Sequence, residues 1–497
     1  MPSRSAPTLA TLRRWHRRAG VLACLGILAW TLSGSLHPFL SRYQPRPATS
    51  QAPAWVAPAE TLTVGEVLAR HGLERLARAR IVRWDGRARL QIIDADGARR
   101  YFDAVEATEI IGGDAAYARH LARHYLGDAR TPIVDARELR AFDVEYTWVN
   151  RWLPAWRIEF ARDDHLRVYV DTTTDALVTL VDARKAAYTR WFMLFHNARV
   201  FGDGEFPRLP LALLFVASGF LATVLGATLA WRTRGATPRG VRRAHRLLAG
   251  SVGLMLACST VSGSLHLVKG VADRAADAAA PRLAWAPFDA RALDTRWPRE
   301  SSAATLFAVD GQPCLRTLVA DTRATPAHAA PAGHDSHAGH DSHAGHDSHA
   351  GHDGGAAAAP GAMIAVWTAA GRGACPADDH AYAYRLAAAF GEQPRREAMT
   401  TVASFGGEYG FINKLLPVVR VQLADGARLY LHPDSATRAA RVASVDYVEG
   451  WLFANLHKWQ WLEFIGRWPR DVVMIVFALG GAAAALAGLW LFIGRAR

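Results

Sequence analysis

RRWHRRAGVLACLGILAWTLSGSLHPF occupies residues 13–39, and RRAHRLLAGSVGLMLACSTVSGSLHLV occupies residues 242–268. Each stretch opens on paired arginines, crosses an apolar core and closes on SGSLH. His16 and His37 stand 21 residues apart, and so do His245 and His266. At ~1.5 Å of helix per residue this spacing is ~31 Å, about one hydrocarbon thickness. It is also ~5.8 turns, so the second imidazole returns to within ~60° of the first. Both histidines of a span can therefore look into one bundle interior.

Working outward, four apolar stretches are long enough to cross a membrane: 17–39, 209–231, 246–268 and 471–493. The first has the basic start of a secretory signal. Its apolar core is too long for one and no small-x-small cleavage site clearly follows, so it reads as a retained helix. Arginines set the orientation, because short arginine-rich segments stay in the cytoplasm. Arg13, Arg14, Arg17 and Arg18 precede the first span; six arginines from Arg232 to Arg246 flank the second turn; Arg495 and Arg497 end the chain. The expectation is a multi-pass protein of a bacterial inner membrane with both termini cytoplasmic. The long segments 41–190 and 269–450 then lie outside. With four spans, much of the net charge of +13 is topology signal and contact with anionic lipid rather than nucleic-acid binding. Cys24 and Cys258 fall inside spans. Cys314 and Cys375 share the second outside segment, where an oxidising periplasm permits a disulfide; two unpaired thiols are the alternative.

The duplication extends beyond the spans. NRWLPAWRIEF (150–160) is matched by NKLLPVVRVQL (413–423), and LFHNARVFGDGEFPRLP (194–210) by LFANLHKWQWLEFIGRWPRD (452–471). A histidine precedes Pro207–Arg208 in one copy and Pro469–Arg470 in the other. Each half reads helix, outside α+β domain, interfacial segment with histidine, helix. The divisions are 1–40, 41–190, 191–231, 232–245, 246–268, 269–450 and 451–497. An even number of spans per half gives both the same orientation, related by a pseudo-twofold along the membrane normal. His16 then meets His245 at the inner rim, His37 meets His266 at the outer rim, and His196 matches His457. Outside, 63–79 reads as an amphipathic helix. Short strands at IVRW, RLQIIDA and RRYFDAV are parted by Asp-Gly turns, and Trp156–Phe160 with Leu166–Val170 forms a hairpin.

Two neutral imidazoles approaching from opposite sides at one depth can be the axial ligands of a haem iron, an arrangement suited to electron transfer. Ser33 and Gly34 precede His37 as Ser262 and Gly263 precede His266, and a missing side chain leaves room for a flat macrocycle. Gly20 does the same for His16, whereas the second copy has Ala249. Helix packing through small residues also explains such positions, and headgroup solvation explains a single rim histidine. The matched pairs argue against both. A proton relay lacks any Asp or Glu in the apolar cores. The inner haem is assigned to His16 and His245. Outside, His37 with His266 is favoured, since both sit on packed spans; His196 and His457 stand as replacements or as ligands of a third haem. An aromatic such as Trp30 would shorten the ~31 Å gap; its counterpart is Ser259.

Residues 333–353 read GHDSHAGHDSHAGHDSHAGHD. His334, His337, His340, His343, His346, His349 and His352 recur every three residues, with aspartates between. Imidazole and carboxylate suit Zn, Cu, Ni or Fe, against a plain low-complexity linker.

In order and duplication these motifs resemble the PepSY-associated transmembrane family, and within it the di-haem inner-membrane reductases of ferric siderophores. The resemblance covers RRWHRRAG…SGSLHPF, LPAWRIEF…YVD, LFHNARVFG and their second copies. It implies a membrane α-helical fold, a four-helix transmembrane bundle of duplicated two-helix halves with two periplasmic α+β PepSY-like domains. It implies two b-type haems and an oxidoreductase passing electrons outward to a ferric siderophore or other chelate for iron uptake. YVD becoming YLH and the histidine-rich insertion are departures. Two other functions remain: a cupric or other metal reductase or metal-handling protein using the tract, and a non-redox PepSY regulator binding peptidases. No G-x-G-x-x-G opens a helix after a strand, so electrons come from a separate cytoplasmic reductase or from membrane quinol.

Overall fold

A computed structural model describes residues 8–49, 51–53, 61–202, 204–276, 280–291, 293–298, 301–320, 363–405, 408–410 and 413–494. The histidine-rich tract and the tail arginines lie outside these residues. In chain order the elements are α1 (Leu9–Tyr43), α2 (Val64–Arg70), β1 (Arg75–Trp84), β2 (Arg87–Asp94), β3 (Arg99–Asp103), α3 (Gly113–Leu126), β4 (Ile133–Leu139), β5 (Ala155–Phe160), β6 (Arg167–Asp171), β7 (Ala176–Val181), α4 (Ala183–Phe195), α5 (Glu205–Arg232) and α6 (Val241–Ala276). The second half adds β8 (Phe288–Asp289), β9 (Ser301–Val309), β10 (Gln312–Ala320), β11 (Met363–Ala369), α7 (Asp379–Ala389), β12 (Pro394–Val402), β13 (Val418–Leu423), β14 (Arg428–His432), β15 (Thr437–Val442), α8 (Ser444–Leu452) and α9 (Arg467–Ile493).

Helices α1, α5, α6 and α9 are each long and apolar enough to cross a membrane, over Leu9–Leu40, Phe206–Arg232, Val241–Gly270 and Arg467–Ile493. They close a ring in which α1 packs on α5 and α9, and α6 packs on the same two. The histidine-bearing helices α1 and α6 thus lie across the ring from each other. Trp15, Trp231 and Trp490 are exposed at one end of the bundle; Trp191, Trp451, Trp461 and Trp468 are exposed at the other. Such aromatic belts mark the two membrane–water boundaries.

The remainder is rich in β structure. Strands β4-β5-β6-β7 form one antiparallel sheet and β12-β13-β14-β15 its counterpart. The other six long strands make a single sheet in the order β11-β10-β9-β1-β2-β3, with β8 beside β1. Its centre is the antiparallel pairing of β1 with β9, Ala79 opposite Leu306. The halves are therefore joined through backbone hydrogen bonds at the pseudo-twofold. Asp85 and Gly86 both take positive φ between β1 and β2, as a tight twisted hairpin requires.

The expected helix over 63–79 is corrected. Helix α2 carries a capping box at Thr63 and Glu66, then stops at Arg70, and Gly72 turns the chain at φ +62°. Residues 75–84 are instead a central strand. Arg78 and Arg80 project from one face of it into a buried ionic cluster. Arg78 donates to Asp434 at 2.6 Å and to the Thr173 carbonyl at 3.1 Å. Arg80 engages both oxygens of Asp175, at 2.6 and 2.7 Å, and Arg316 does the same for Asp379 at 2.7 and 2.8 Å. Asp434 also accepts from Thr305. Buried charges persist only when paired and hydrogen-bonded, and the Arg78–Asp434 pair crosses between the halves. The two four-stranded sheets share one apolar core, in which Tyr146 stacks on Tyr169 at 4.8 Å and Tyr409 on Tyr430 at 4.6 Å. Cys314 and Cys375 are joined by a disulfide.

Candidate functional site: two facing histidine pairs

At the end of the ring where α1 and α6 begin, called inner here after the side expected from the arginines, α1 brings in His16 and α6 brings in His245. The ring centroids are 6.2 Å apart and the planes are inclined by 51°. The Nδ1 of His16 lies 2.9 Å from the Ala222 carbonyl of α5, and that of His245 lies 2.9 Å from the Ala484 carbonyl of α9. A carbonyl can only accept, so Nδ1 carries the proton and Nε2 keeps its lone pair. One turn beyond each carbonyl stands a glycine. A Cβ at Gly226 would come within 3.1 Å of His16 Cε1, and one at Gly488 within 3.1 Å of His245 Cε1. The missing side chains let each ring reach the helix backbone that orients it. A Cβ at Gly20, by contrast, would meet nothing within 4 Å, so space is open beside His16.

At the outer end His196 faces His457, with centroids 6.3 Å apart and planes at 88°. His196 is the C-cap of α4, and His457 ends a π-helical turn after α8. The Oγ of Ser33 donates to the Ala29 carbonyl at 2.5 Å and accepts from His196 Nδ1 at 3.1 Å. Ser262 repeats this with the Cys258 carbonyl at 2.9 Å and His457 Nδ1 at 3.4 Å. Gly34 and Gly263 lie under the two rings, with Cβ positions 3.5 and 3.6 Å from Cε1. Burial pushes His457 down to about 4, which keeps it neutral with a lone pair to offer.

Phe192 stacks on His196 at 4.2 Å and lies 6.0 Å from His37; Phe453 stacks on His457 at 4.6 Å and lies 4.4 Å from His266. His37 also meets Tyr188 edge-on at 6.4 Å, while His266 Nδ1 donates to Glu449 at 2.8 Å. All four outer histidines thus belong to one cluster. Within it the facing rings with hydroxyl-oriented Nδ1 atoms are His196 and His457, rather than the favoured His37 and His266. The physical reason is that the ends of α4 and α8 fold back over the bundle and deliver their terminal imidazoles onto the Ser-Gly steps of α1 and α6. The Ser-Gly steps were read as spacers for His37 and His266 on their own helices. They receive rings from other helices instead.

Two imidazoles that share one metal ion through ~2.0–2.1 Å bonds, with ~1.1–1.2 Å from each nitrogen to its ring centre, have centroids ~6.2–6.6 Å apart. Both pairs have that spacing. Two ligands alone are a sparse set for a free ion, and among the described residues no three His, Cys, Asp or Glu converge on one point. A ligand that brings its own equatorial nitrogens fits the pairs better. The Ala222–Gly226 and Ala484–Gly488 supports went unread in the sequence; aligning the halves on Pro207 and Pro469 brings them into register. No known protein family and no curated protein matches this chain.

Trp30 lies between the two levels and donates its indole N–H to the His196 carbonyl at 3.0 Å. Because Gly34 rather than His37 marks the outer level, the axial separation from His16 falls to ~27 Å of helix.

Proposed function

We propose that the protein is an inner-membrane di-haem oxidoreductase that reduces a ferric chelate, most simply a ferric siderophore, on the outer face for iron uptake. The observation that carries this reading is the pair of imidazole spacings, 6.2 and 6.3 Å, one at each end of the ring of spans. His16 and His245 would hold the inner b-type haem, and His196 and His457 the outer one. When bound, such haems supply one-electron transfer with no open coordination position for oxygen chemistry. The chain's own groups do the rest. Ala222, Ala484, Ser33 and Ser262 fix the tautomers, as outer-shell partners of metal-bound histidines do. Phe192 and Phe453 cover the outer rings and exclude water.

Orientation follows from charge. The end that carries His16 and His245 also carries Arg13, Arg14, Arg17, Arg18, Arg242 and Arg243, which supports a cytoplasmic placement of that end. The disulfide in the opposite body suits an oxidising periplasm. The repeated α+β bodies would be PepSY-like domains presenting the acceptor, with the electron donor a cytoplasmic reductase or quinol. The test is an optical spectrum and haem quantitation on protein made with ample haem supply. Two low-spin b haems per chain are expected, both reoxidised by a ferric chelate. A colourless protein would overturn the proposal.

A further inference from the structure

His196 is gripped at two points by one turn of α1. It is the C-cap of α4. Its backbone N–H still donates to the Phe192 carbonyl at 2.8 Å, and two residues later Ala198 turns the chain at φ +56°. The His196 carbonyl therefore lies past the last helical turn, where a helix supplies no donor of its own. It accepts the indole N–H of Trp30 at 3.0 Å. The ring of the same residue donates from Nδ1 to Ser33 Oγ at 3.1 Å and passes over Gly34, whose Cβ position is 3.5 Å from Cε1. Trp30, Ser33 and Gly34 stand at i, i+3 and i+4, so they share one helix face. Backbone and ring of His196 are thus tied to the same turn.

The indole is itself fixed. Gly26, one turn earlier on α1, makes room for it: a Cβ there would stand 3.0 Å from Trp30 Cζ3 and 2.9 Å from Phe215 Cβ on α5. Side chains on a helix lean toward its N-terminus, and the Trp30 ring lies back over Gly26 in this way. The duplication separates what is common to both halves from what is specific to one. Ser33 and Gly34 recur as Ser262 and Gly263, which meet the His457 ring as their counterparts meet His196. Gly26 and Trp30 do not recur; Met255 and Ser259 take their places. His457 arrives instead at the end of a π-helical turn. The inner rings, each with Nδ1 2.9 Å from a carbonyl, are inclined by 51°. The outer rings share the serine contact, but only His196 has the indole on its carbonyl, and their planes stand at 88°.

We propose that Trp30 is a positioning residue for the outer pair: its indole N–H, through the His196 carbonyl, sets the tilt of the His196 ring against that of His457. This rests on the reading of His196 and His457 as ligands of one haem. Near hydrocarbon, where water is scarce, a carbonyl that loses its donor must find another. The end of α4 then turns, and the imidazole turns with it.

The experiment uses the full-length protein in lipid nanodiscs and compares wild type with Trp30→Phe and Trp30→benzothienylalanine. The second keeps the shape of the indole and puts sulfur where the N–H stands. Three quantities are read: the low-spin EPR signals, the rate of haem transfer to apomyoglobin, and amide hydrogen exchange over residues 196–201. Both variants should make the outer EPR signal less anisotropic and leave the inner signal unchanged. Loss of one neutral hydrogen bond predicts about fivefold faster release of the outer haem, with faster exchange after His196. An isostere that matches wild type in outer signal and release overturns the proposal, whatever Trp30→Phe does. Faster exchange with an unmoved outer signal also overturns it, since Trp30 would then only close the end of α4. So does an isostere that disturbs both haem signals alike, which would assign Trp30 to the bundle as a whole. Wild type that binds no haem sinks the proposed function instead, and exchange alone then decides: faster in the isostere, Trp30 holds His196; equal, it does not.

Discussion

His457→Ala and His266→Ala, made separately, discriminate between two ways of holding an outer haem. In the structure the His457 ring centre is 6.3 Å from that of His196. Two ~2.0 Å bonds and two ~1.1 Å ring radii account for that distance with almost no adjustment. On the proposed reading, removing His457 would leave His196 alone to hold the outer haem, with a void beside it. Haem content should fall from about two per chain to about one, or the outer haem should become high-spin, because bis-imidazole ligation is what keeps it low-spin. His266→Ala removes a ring that donates to Glu449 at 2.8 Å and packs on Phe453, so about two low-spin haems should remain. The readouts are pyridine haemochrome per protein and low-temperature EPR. The 88° between the His196 and His457 planes predicts a highly anisotropic low-spin signal that vanishes in His457→Ala, alongside a more ordinary inner signal from planes at 51°. If His266→Ala or His37→Ala removes the outer haem and His457→Ala does not, the argument from facing rings is wrong.

At the inner level, Gly226→Val and Gly488→Val should each expel the haem that His16 and His245 would hold, since even a Cβ stands 3.1 Å from the ring it faces; unchanged haem content in both would refute the cradle. Ser33→Ala withdraws the acceptor from His196 Nδ1 and should weaken outer-haem retention by about 10–100-fold, read by haem transfer to apomyoglobin. Asp171 is buried, which raises its pKa, but Arg282, Thr173 and Thr174 more than offset this and hold it near about 2. A carboxylate depressed from ~3.9 stabilises the fold fully above about pH 4 and loses ~2.5 kcal/mol as pH falls through 2. Arg282→Met should shift acid unfolding to higher pH, and coincident acid profiles would refute this. Replacing Cys314 and Cys375 by Ser opens a crosslink of sequence separation 61 and should cost ~4 kcal/mol, measured as a lower Tm than oxidised wild type, with reduced wild type behaving like the variant.

Much of the bundle was legible because its signals are local. Apolar runs mark the spans, arginines mark one side, and the repeated His-x₂₀-His spacing marks both rims. The Asp-Gly turns at 85–86 and 96–97 and the 155–171 hairpin were equally plain. Residues 75–79 misled because RLARA is rich in residues that favour helices; only the carboxylates of Asp175 and Asp434, far along the chain, make a strand with Arg78 and Arg80 the better solution. The inner pair was readable since both imidazoles sit on spans related by the duplication. That His196 and His457 face each other was not, because both ride on short segments whose return path depends on tertiary packing.

The ladder between β1 and β9 has a mechanical consequence. Rocking one half against the other, as an alternating-access carrier must, would tear Arg78, Ala79 and Arg80 from Phe307, Leu306 and Thr305 and strip Arg78 of Asp434. The outer body is therefore a rigid lintel across both pairs of spans. It suits a device that moves charge through a static frame and resists one that carries cargo by changing shape.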